Sequence, residues 1–247
     1  MTSTPNNSAS EQDLVAIRRA VADYCEGYYR RDPDQTYGAY HPECLKRAFE
    51  LTEDDVTYLI VQTRASMVDV ARISSRATEP EFEVFIDNVI GDIATVRLYS
   101  NAWVDYLHVV KARGDWKLLH AAYDERPAQR AEASDASIEA ITQAATDYVE
   151  GWYLARPQQH LGAYHDECVK RVFTPDGGMA VYSGTHMAEI CAKRSPDATA
   201  EWTITIDDVV GSVATVRIDS TDFVDHLHIA HARGRWGLLH GSFHVKG

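Results

Sequence analysis

The chain has 247 residues, of which 45% are hydrophobic and 10% aromatic, and its formal net charge is -13 at pH 7. This charge argues against a nucleic-acid partner, because phosphate binding needs a basic face, and we interpret it as a source of solubility. No apolar stretch reaches the roughly 18 residues that span a bilayer, so we expect no membrane partner. The cysteines, Cys25, Cys44, Cys168 and Cys191, form no CxxC pair, which favours a reducing cytoplasm as the setting.

The sequence contains two copies of one pattern. DYCEGYYRRDPDQTYGAYHPECLKRAF from Asp23 matches DYVEGWYLARPQQHLGAYHDECVKRVF from Asp147. IDNVIGDIATVR from Ile86 matches IDDVVGSVATVR from Ile206. The offset falls from about 124 to about 120 residues along the repeat, so the second copy is shorter by about four residues. A repeat of this length predicts two domains of ordinary size.

The missing residues fall between Phe49 and Met67, at a loop or a strand end. The first ten residues are polar and lack the basic and apolar regions of a signal peptide, which predicts disorder. The polar stretch between the copies predicts a linker that leads to a helix N-cap near Ser137. The predicted organisation is a tail over 1–10, a first domain over 11–123, a linker over 124–136 and a second domain over 137–247.

Each copy begins with helical periodicity. Apolar residues spaced by three and four predict an amphipathic first helix, with Leu14, Ile17, Val21, Tyr24 and Tyr28 in the first copy and Ile138, Ile141, Ala145, Tyr148 and Trp152 in the second. Asp32-Pro33 and Arg156-Pro157 predict its end and the start of a short second helix that ends near GAYHP and GAYHD. A third helix is predicted over about 66–74 and about 185–193.

The spacing of apolar residues then changes from the helical period of 3.6 residues to the strand period of 2 residues. FEVFIDNVIGDIATVRLY predicts two strands about a tight turn at Gly91-Asp92, and VDYLHVVKARGDWKLLHAAY predicts two more about Gly114. Helices followed by an antiparallel meander predict an α+β fold, in which a curved sheet wraps around the helices.

The patterns DYxEGxY, AYHxECxKR, DxVxGxxATVR and VDxLHxxxARGxWxLLH resemble the "putative lumazine-binding" branch of the nuclear transport factor 2-like superfamily. The superfamily also holds ketosteroid isomerases, scytalone dehydratase and SnoaL-like polyketide cyclases. The resemblance implies two tandem cone-shaped domains, each with three helices packed in a curved antiparallel sheet around a pocket. It also implies an intramolecular pseudo-dimer, because homodimers built sheet to sheet are common in the superfamily. Further homo-oligomerisation stays open.

Two aspartates recur at equivalent positions of a predicted strand. Asp105 and Asp225 are candidates for a general base, or for an acid with a raised pKa in an apolar cavity. The alternative is a structural carboxylate that caps a bend or pairs with an arginine such as Arg97 or Arg217. The sequence does not decide which face of the strand is concave.

Aromatic residues of the first helix are a second set of candidates. Tyr24 and Tyr148 lie one turn before Tyr28 and Trp152. A phenol at this position stabilises an enolate-like oxygen if it faces a pocket. The alternative is that these rings only fill the core.

The second copy holds eight of the eleven histidines. On the last strand we expect His120 to share a face with Trp116 and Leu118, and His240 to share one with Trp236 and Leu238. The two histidines are candidates for a pocket floor, or are core histidines bonded to backbone. His41 and His165 follow the short helix, where they are site candidates or bond the helix C-terminus. The spacing HxHxxH divides its histidines between opposite strand faces, and HExxH is absent, so we expect neither a metal nor a cofactor.

These candidates predict a cofactor-independent acid–base enzyme of the dehydratase, isomerase or cyclase type, which acts on a small, largely apolar metabolite of secondary metabolism. The alternatives are a non-catalytic binding or carrier protein, and a structural pseudo-dimer that recruits protein partners. We favour the second copy as the active one, because His226 and His231 replace Tyr106 and Lys111 there. The predicted catalytic residues are Asp225, His228, His240, His165 and Tyr148. The predicted substrate-binding residues are Trp152, His226, Tyr24, Tyr28, His41, Asp105, His108 and His120.

Overall fold

The computed structural model describes residues 9–51, 57–73, 79–127, 133–173 and 178–246. The chain divides into two units, Met1–Ala128 and Gln129–Gly247. Residues 1–8 of the predicted tail and 128–132 of the predicted linker lie outside the described residues. Within the described ranges, no helix combines the length and the apolar character needed to cross a bilayer.

Three helices are described in each unit. Those of the first unit are α1 (Glu11–Arg30), α2 (Pro33–Ala39) and α3 (Arg64–Ile73). Those of the second unit are α4 (Asp135–Tyr153), α5 (Pro157–Gly162) and α6 (Gly184–Cys191). Serine side chains cap α1 and α4, because Ser10 accepts from the Asp13 N–H and Ser134 accepts from the Ser137 N–H. The cap predicted near Ser137 is therefore Ser134.

A six-stranded sheet is described in each unit, and neither sheet closes into a barrel. The first sheet has the order β2-β1-β6-β5-β4-β3 and the second the order β8-β7-β12-β11-β10-β9. The strands of the first unit are β1 (Tyr40–Leu51), β2 (Thr57–Thr63), β3 (Glu83–Ile90), β4 (Ile93–Tyr99), β5 (Trp103–Ala112) and β6 (Asp115–Glu125). Those of the second unit are β7 (Tyr164–Phe173), β8 (Met179–Ser183), β9 (Trp202–Val210), β10 (Val213–Ser220), β11 (Phe223–Ala232) and β12 (Arg235–Val245).

The predicted α+β class with two tandem halves is confirmed, with one difference in the sheets. The four predicted strands of each copy form the meander, and Arg113 and Gly114 both have positive φ (53° and 92°), as a tight hairpin turn requires. However, β1 pairs with β6 in parallel, and β7 pairs with β12 in the same way. The segment ECLKRAF, to which the sequence pattern assigned no strand, belongs to β1.

The length difference between the copies lies in one hairpin of each unit. Strands β1 and β2 have 12 and 7 residues, whereas β7 and β8 have 10 and 5. Each strand of the second hairpin is therefore two residues shorter, which accounts for the four missing residues.

The helices of each unit cover one face of its sheet. Ile17 and Val21 of α1 share a core cluster with Leu107 and Val109 of β5. Because side chains alternate along a strand, Asp105 faces the helices with Leu107 and Val109. The helix-covered face is thus the one that carries the aspartates.

Candidate functional site

Three buried polar side chains meet where α1, β1 and β5 converge. The Tyr24 hydroxyl donates to Oδ1 of Asp105 at 2.8 Å, and Lys46 Nζ donates to the same oxygen at 2.5 Å. Lys46 also donates to the Tyr24 hydroxyl oxygen. The side chains of Lys46 and Asp105 are only 8% and 3% exposed. We call Tyr24, Lys46 and Asp105 the first cluster.

The second unit repeats this arrangement. The Tyr148 hydroxyl donates to Oδ1 of Asp225 at 2.5 Å, and Lys170 Nζ donates to the same oxygen at 2.8 Å. Lys170 also donates to the Tyr148 hydroxyl oxygen. We call Tyr148, Lys170 and Asp225 the second cluster.

The order of the strands brings the lysine to the aspartate. Because β6 lies between β1 and β5, Lys46 reaches across β6 to Asp105. On β6, Tyr123 is the register partner of Asp105, and the centre of its ring lies 4.3 Å from Lys46 Nζ. The ammonium group is thus held between a carboxylate and an aromatic face, both of which stabilise positive charge.

The two tyrosines of the clusters act as hydrogen-bond donors. Burial, reinforced by the negative charge of Asp105, raises the pKa of Tyr24 well above its usual value. Burial and Asp225 raise the pKa of Tyr148 in the same way. Both phenols therefore stay protonated near neutral pH.

A cavity opens beside each cluster. The first cavity has a volume of about 80 Å³, and its walls include Lys46, Asp105, Tyr28, Trp103 and Tyr123. The second cavity has about 40 Å³ beside Lys170 and Asp225. Among the described residues Lys46 has two hydrogen-bond acceptors, and an ammonium group carries three N–H donors. One donor is therefore left for an oxygen atom of a ligand.

The structure brings six of the predicted site residues to these cavities, namely Tyr24, Tyr28 and Asp105 at the first and Tyr148, Trp152 and Asp225 at the second. The lysines were not predicted. The ionic partner of Asp105 is Lys46 rather than Arg97, which pairs with Asp87 at 2.7 Å. A signal was present, because Lys46 and Lys170 occupy matching positions of the repeat, each two residues after a cysteine.

The predicted strand histidines lie away from the cavities. His108 and His120 form a buried pair with Nδ1 atoms 3.1 Å apart, and His228 and His240 form the equivalent pair at 3.2 Å. His108 alternates with the helix-facing residues of β5, and His226 and His228 alternate with those of β11, so these three lie on the opposite sheet face. His120 and His240 contact His108 and His228 there. The predicted shared face of Trp116, Leu118 and His120 is wrong, because a bulge shifts the register between β5 and β6 at this point. The same irregularity separates Leu238 from His240.

The histidines after the short helices bond elsewhere. The Glu43 N–H donates to Nδ1 of His41 at 3.2 Å. Nε2 of His165 lies 2.9 Å from the Ala230 carbonyl oxygen on β11, and burial lowers the pKa of this imidazole. Neither contact involves a helix C-terminus, and neither residue belongs to the walls of the cavity beside the cluster of its unit.

His160, which the sequence pattern did not single out, supports the second cluster. Its Nδ1 lies 2.7 Å from the Tyr148 carbonyl oxygen and its Nε2 lies 2.9 Å from the Tyr164 hydroxyl oxygen. A carbonyl only accepts, so Nδ1 carries the hydrogen and Nε2 accepts from Tyr164. Burial lowers the pKa of His160 to about 4, which keeps the ring neutral at pH 7.

We expect His160 to make the second unit sensitive to acid. The unfolded state takes up a proton near the ordinary pKa of about 6.5, whereas the folded state does so only near 4, so stability falls as the pH drops between these values. From pH 7 to pH 5 this linkage removes about 2 kcal/mol. His160→Thr, which copies Thr36 of the first unit, should remove that part of the loss in guanidinium unfolding of the full chain. An equal loss in the parent and the variant would contradict the assignment.

Comparison with known proteins identifies the family. The family described as "Putative lumazine-binding" matches residues 12–124 and 136–244. Because the matches cover most of the chain, the chain belongs to this family, as two tandem copies. This confirms the predicted family. No curated protein matches the chain.

Several solved structures each align with about half of the chain. An NTF2-like protein of unknown function from Shewanella baltica is 20% identical over 47% of this chain and 99% of its own, with a TM-score of 0.45. A ketosteroid isomerase-like protein from Erwinia carotovora is 16% identical over 46% of this chain and 99% of its own, with a TM-score of 0.37. A "Putative Scytalone Dehydratase" from Novosphingobium aromaticivorans is 14% identical over 45% of this chain and 85% of its own, with a TM-score of 0.37.

Proposed function

We propose that the protein is a cofactor-independent acid–base enzyme that isomerises or dehydrates a small, largely apolar carbonyl compound. The observation that carries the proposal is the buried cluster of a carboxylate, an ammonium group and a phenol at the wall of an aromatic cavity. A base next to hydrogen-bond donors in an apolar site is the arrangement that proton transfer beside a carbonyl needs.

Lys46 and Asp105 of the first cluster have separate roles in this chemistry. The third N–H of Lys46 donates to the carbonyl oxygen of the substrate and stabilises the negative charge that develops there. Among the described residues, the bonds from Tyr24 and Lys46 both reach Oδ1 of Asp105, which leaves Oδ2 to accept a proton from the adjacent carbon. Returning that proton to another carbon of the substrate completes an isomerisation without any cofactor.

The size of the cavity limits the substrate. A volume of about 80 Å³ corresponds to two or three water molecules at roughly 30 Å³ each. The part of the substrate that reacts is therefore small, and a larger substrate would extend through the mouth. Aromatic walls favour an apolar body over a charged one.

Deuterium exchange tests the proposal without knowledge of the natural substrate. We expect the protein to accelerate exchange of the α-protons of cyclohexanone and 3-cyclohexenone in D₂O, followed by proton NMR. Asp105→Asn and Asp225→Asn together should lower the rate at least about tenfold. His228→Gln tests the predicted histidine role and should leave the rate unchanged, because His228 lies on the opposite sheet face. Asp115→Asn, at the exposed hairpin, serves as the surface control.

Binding without catalysis is the second candidate function. The observation in its favour is that Lys46 neutralises Asp105 directly, so the cluster also suits recognition of a polar group. Saturable stabilisation by a ketone without any exchange would favour a carrier. The intramolecular pseudo-dimer and the cytoplasmic location stay predictions.

A further inference from the structure

The two cavities share their clusters but differ in the residues around them. Each wall residue of the second cavity has a repeat partner in the wall of the first, and four of these pairs differ in polarity or size: Tyr28 and Trp152, Tyr123 and Phe243, Trp103 and Phe223, and Cys25 and Val149. The clusters alone therefore do not set what each cavity accepts.

Tyr123 and Tyr28 each bring a hydroxyl group to the wall of the first cavity. Tyr123 is only 7% exposed, and within the part of the chain that the structure describes its hydroxyl has no hydrogen-bond partner. The Tyr28 hydroxyl has none there either. Burial raises the pKa of Tyr123, so its phenol stays protonated. A ligand that supplies an oxygen here gains hydrogen bonds that the protein does not make for itself.

The second cavity lacks these groups. Phe243 occupies the place of Tyr123, with its ring centre 4.4 Å from Lys170 Nζ, and has no hydroxyl. Trp152 occupies the place of Tyr28, and the Arg194 guanidinium lies 4.2 Å from the centre of its ring. The second cavity, beside this larger indole and the arginine that packs on it, has about half the volume of the first, 40 Å³ against 80 Å³.

We propose that Tyr123, assisted by Tyr28, makes the first cavity selective for small hydroxy ketones, whereas Phe243 and Trp152 restrict the second cavity to ketones without the hydroxyl. Lys46 holds the carbonyl oxygen, and the phenols face the hydroxyl of the ligand. This inference rests on the proposed function for the role of the lysine, and it adds the substrate class and the division between the units.

Two methionines allow each cavity to be observed separately in the full chain. Met67 lines the first cavity and Met187 the second. In protein labelled with ¹³C at the methionine methyl groups, Met67→Leu and Met187→Leu assign the two resonances. Titration with cyclohexanone and with 3-hydroxycyclohexanone then gives a dissociation constant for each ligand at each cavity.

We expect the Met67 resonance to report binding of 3-hydroxycyclohexanone about fivefold to tenfold tighter than cyclohexanone, as one or two hydrogen bonds provide. Tyr123→Phe, which copies Phe243, should lower this ratio to less than about twofold. Phe243→Tyr should raise the ratio at Met187. Tyr58→Phe, which removes a hydroxyl bonded to Glu50 outside the cavity walls, should leave the ratio at Met67 unchanged.

A ratio near one in the parent, or a ratio that Tyr123→Phe does not change, would overturn the inference. These readouts measure binding, whereas deuterium exchange measures catalysis. Selective binding without exchange would therefore remove the proposed enzyme and keep the selectivity. Exchange with no dependence of the binding ratio on Tyr123 would remove the selectivity and keep the enzyme.

Discussion

Lys46→Met is expected to lower the free energy of unfolding by about 3 to 5 kcal/mol, because it leaves the Asp105 carboxylate buried without its cation. The side chain of Asp105 is 3% exposed, so only the few water molecules that fit the adjacent cavity can take the place of the lost ammonium group. Guanidinium unfolding of the full chain, followed by circular dichroism, measures the loss. We expect Lys170→Met to have a similar effect on the second unit, because its pair with Asp225 is buried to the same degree.

Replacing both Lys46 and Asp105 by apolar residues separates the cost of an unpaired buried charge from the other effects of losing the lysine. Adding Asp105→Leu to Lys46→Met removes the unpaired carboxylate, and it should recover most of the lost stability, since apolar groups of similar size often replace buried ion pairs without loss. Arg72→Met breaks the exposed pair with Asp69 and should cost less than about 1 kcal/mol. If Lys46→Met cost no more than Arg72→Met, the first cluster would not be the buried pair described above.

Gly151→Ala is expected to destabilise the second unit by about 1 to 3 kcal/mol, although alanine normally favours a helix over glycine by about 1 kcal/mol. A Cβ at residue 151 would lie 2.6 Å from the backbone nitrogen of His160 and 2.9 Å from its Cα. Backbone atoms of α5 cannot move aside as a flexible side chain can. Thermal unfolding of the full chain measures the effect.

The chain supplies a matched site and a control for this test. Gly27 lies at the same place in the first unit, where a Cβ would lie 2.7 Å from the Thr36 nitrogen, so Gly27→Ala should also destabilise. A Cβ added at Gly38 of α2 would have no heavy atom of the described residues within 4 Å, apart from its chain neighbours and the backbone of its own helix. Gly38→Ala should therefore stabilise by about 0.5 to 1 kcal/mol. Stabilisation by Gly151→Ala would show that α4 and α5 do not approach so closely.

The glycine of the DYxEGxY motif thus has a packing role. Local sequence patterns were sufficient to predict several elements of the fold. Helical spacing was sufficient to predict the first helix, because the apolar face of α1, including Ile17 and Val21, packs into the core. Alternation with tight turns was sufficient for the meander. These elements depend on neighbours in sequence, which periodicity reports directly.

The rest of the site depends on partners far apart in the sequence. Lys46 is an inward-facing charge on β1, so it interrupts the apolar alternation by which a strand is recognised. Its role becomes visible only once β6 separates β1 from β5 and places Asp105 within reach. The sheet face on which His120 lies was mispredicted for a similar reason, since a bulge between paired strands cannot be recognised in the residue pattern.

The parallel pairing of β1 with β6 also has a consequence for folding during synthesis. Lys46 is the register partner of Ala121, so β1 leaves the ribosome long before the strand that flanks its inner edge. At about 5 to 20 residues per second, the wait lasts on the order of seconds. During that time β1 can pair only with β2, and the Lys46 ammonium group has neither Asp105 nor the Tyr123 ring. The sheet of each unit is therefore complete only after its last strand has been synthesised, which favours slow, late folding steps.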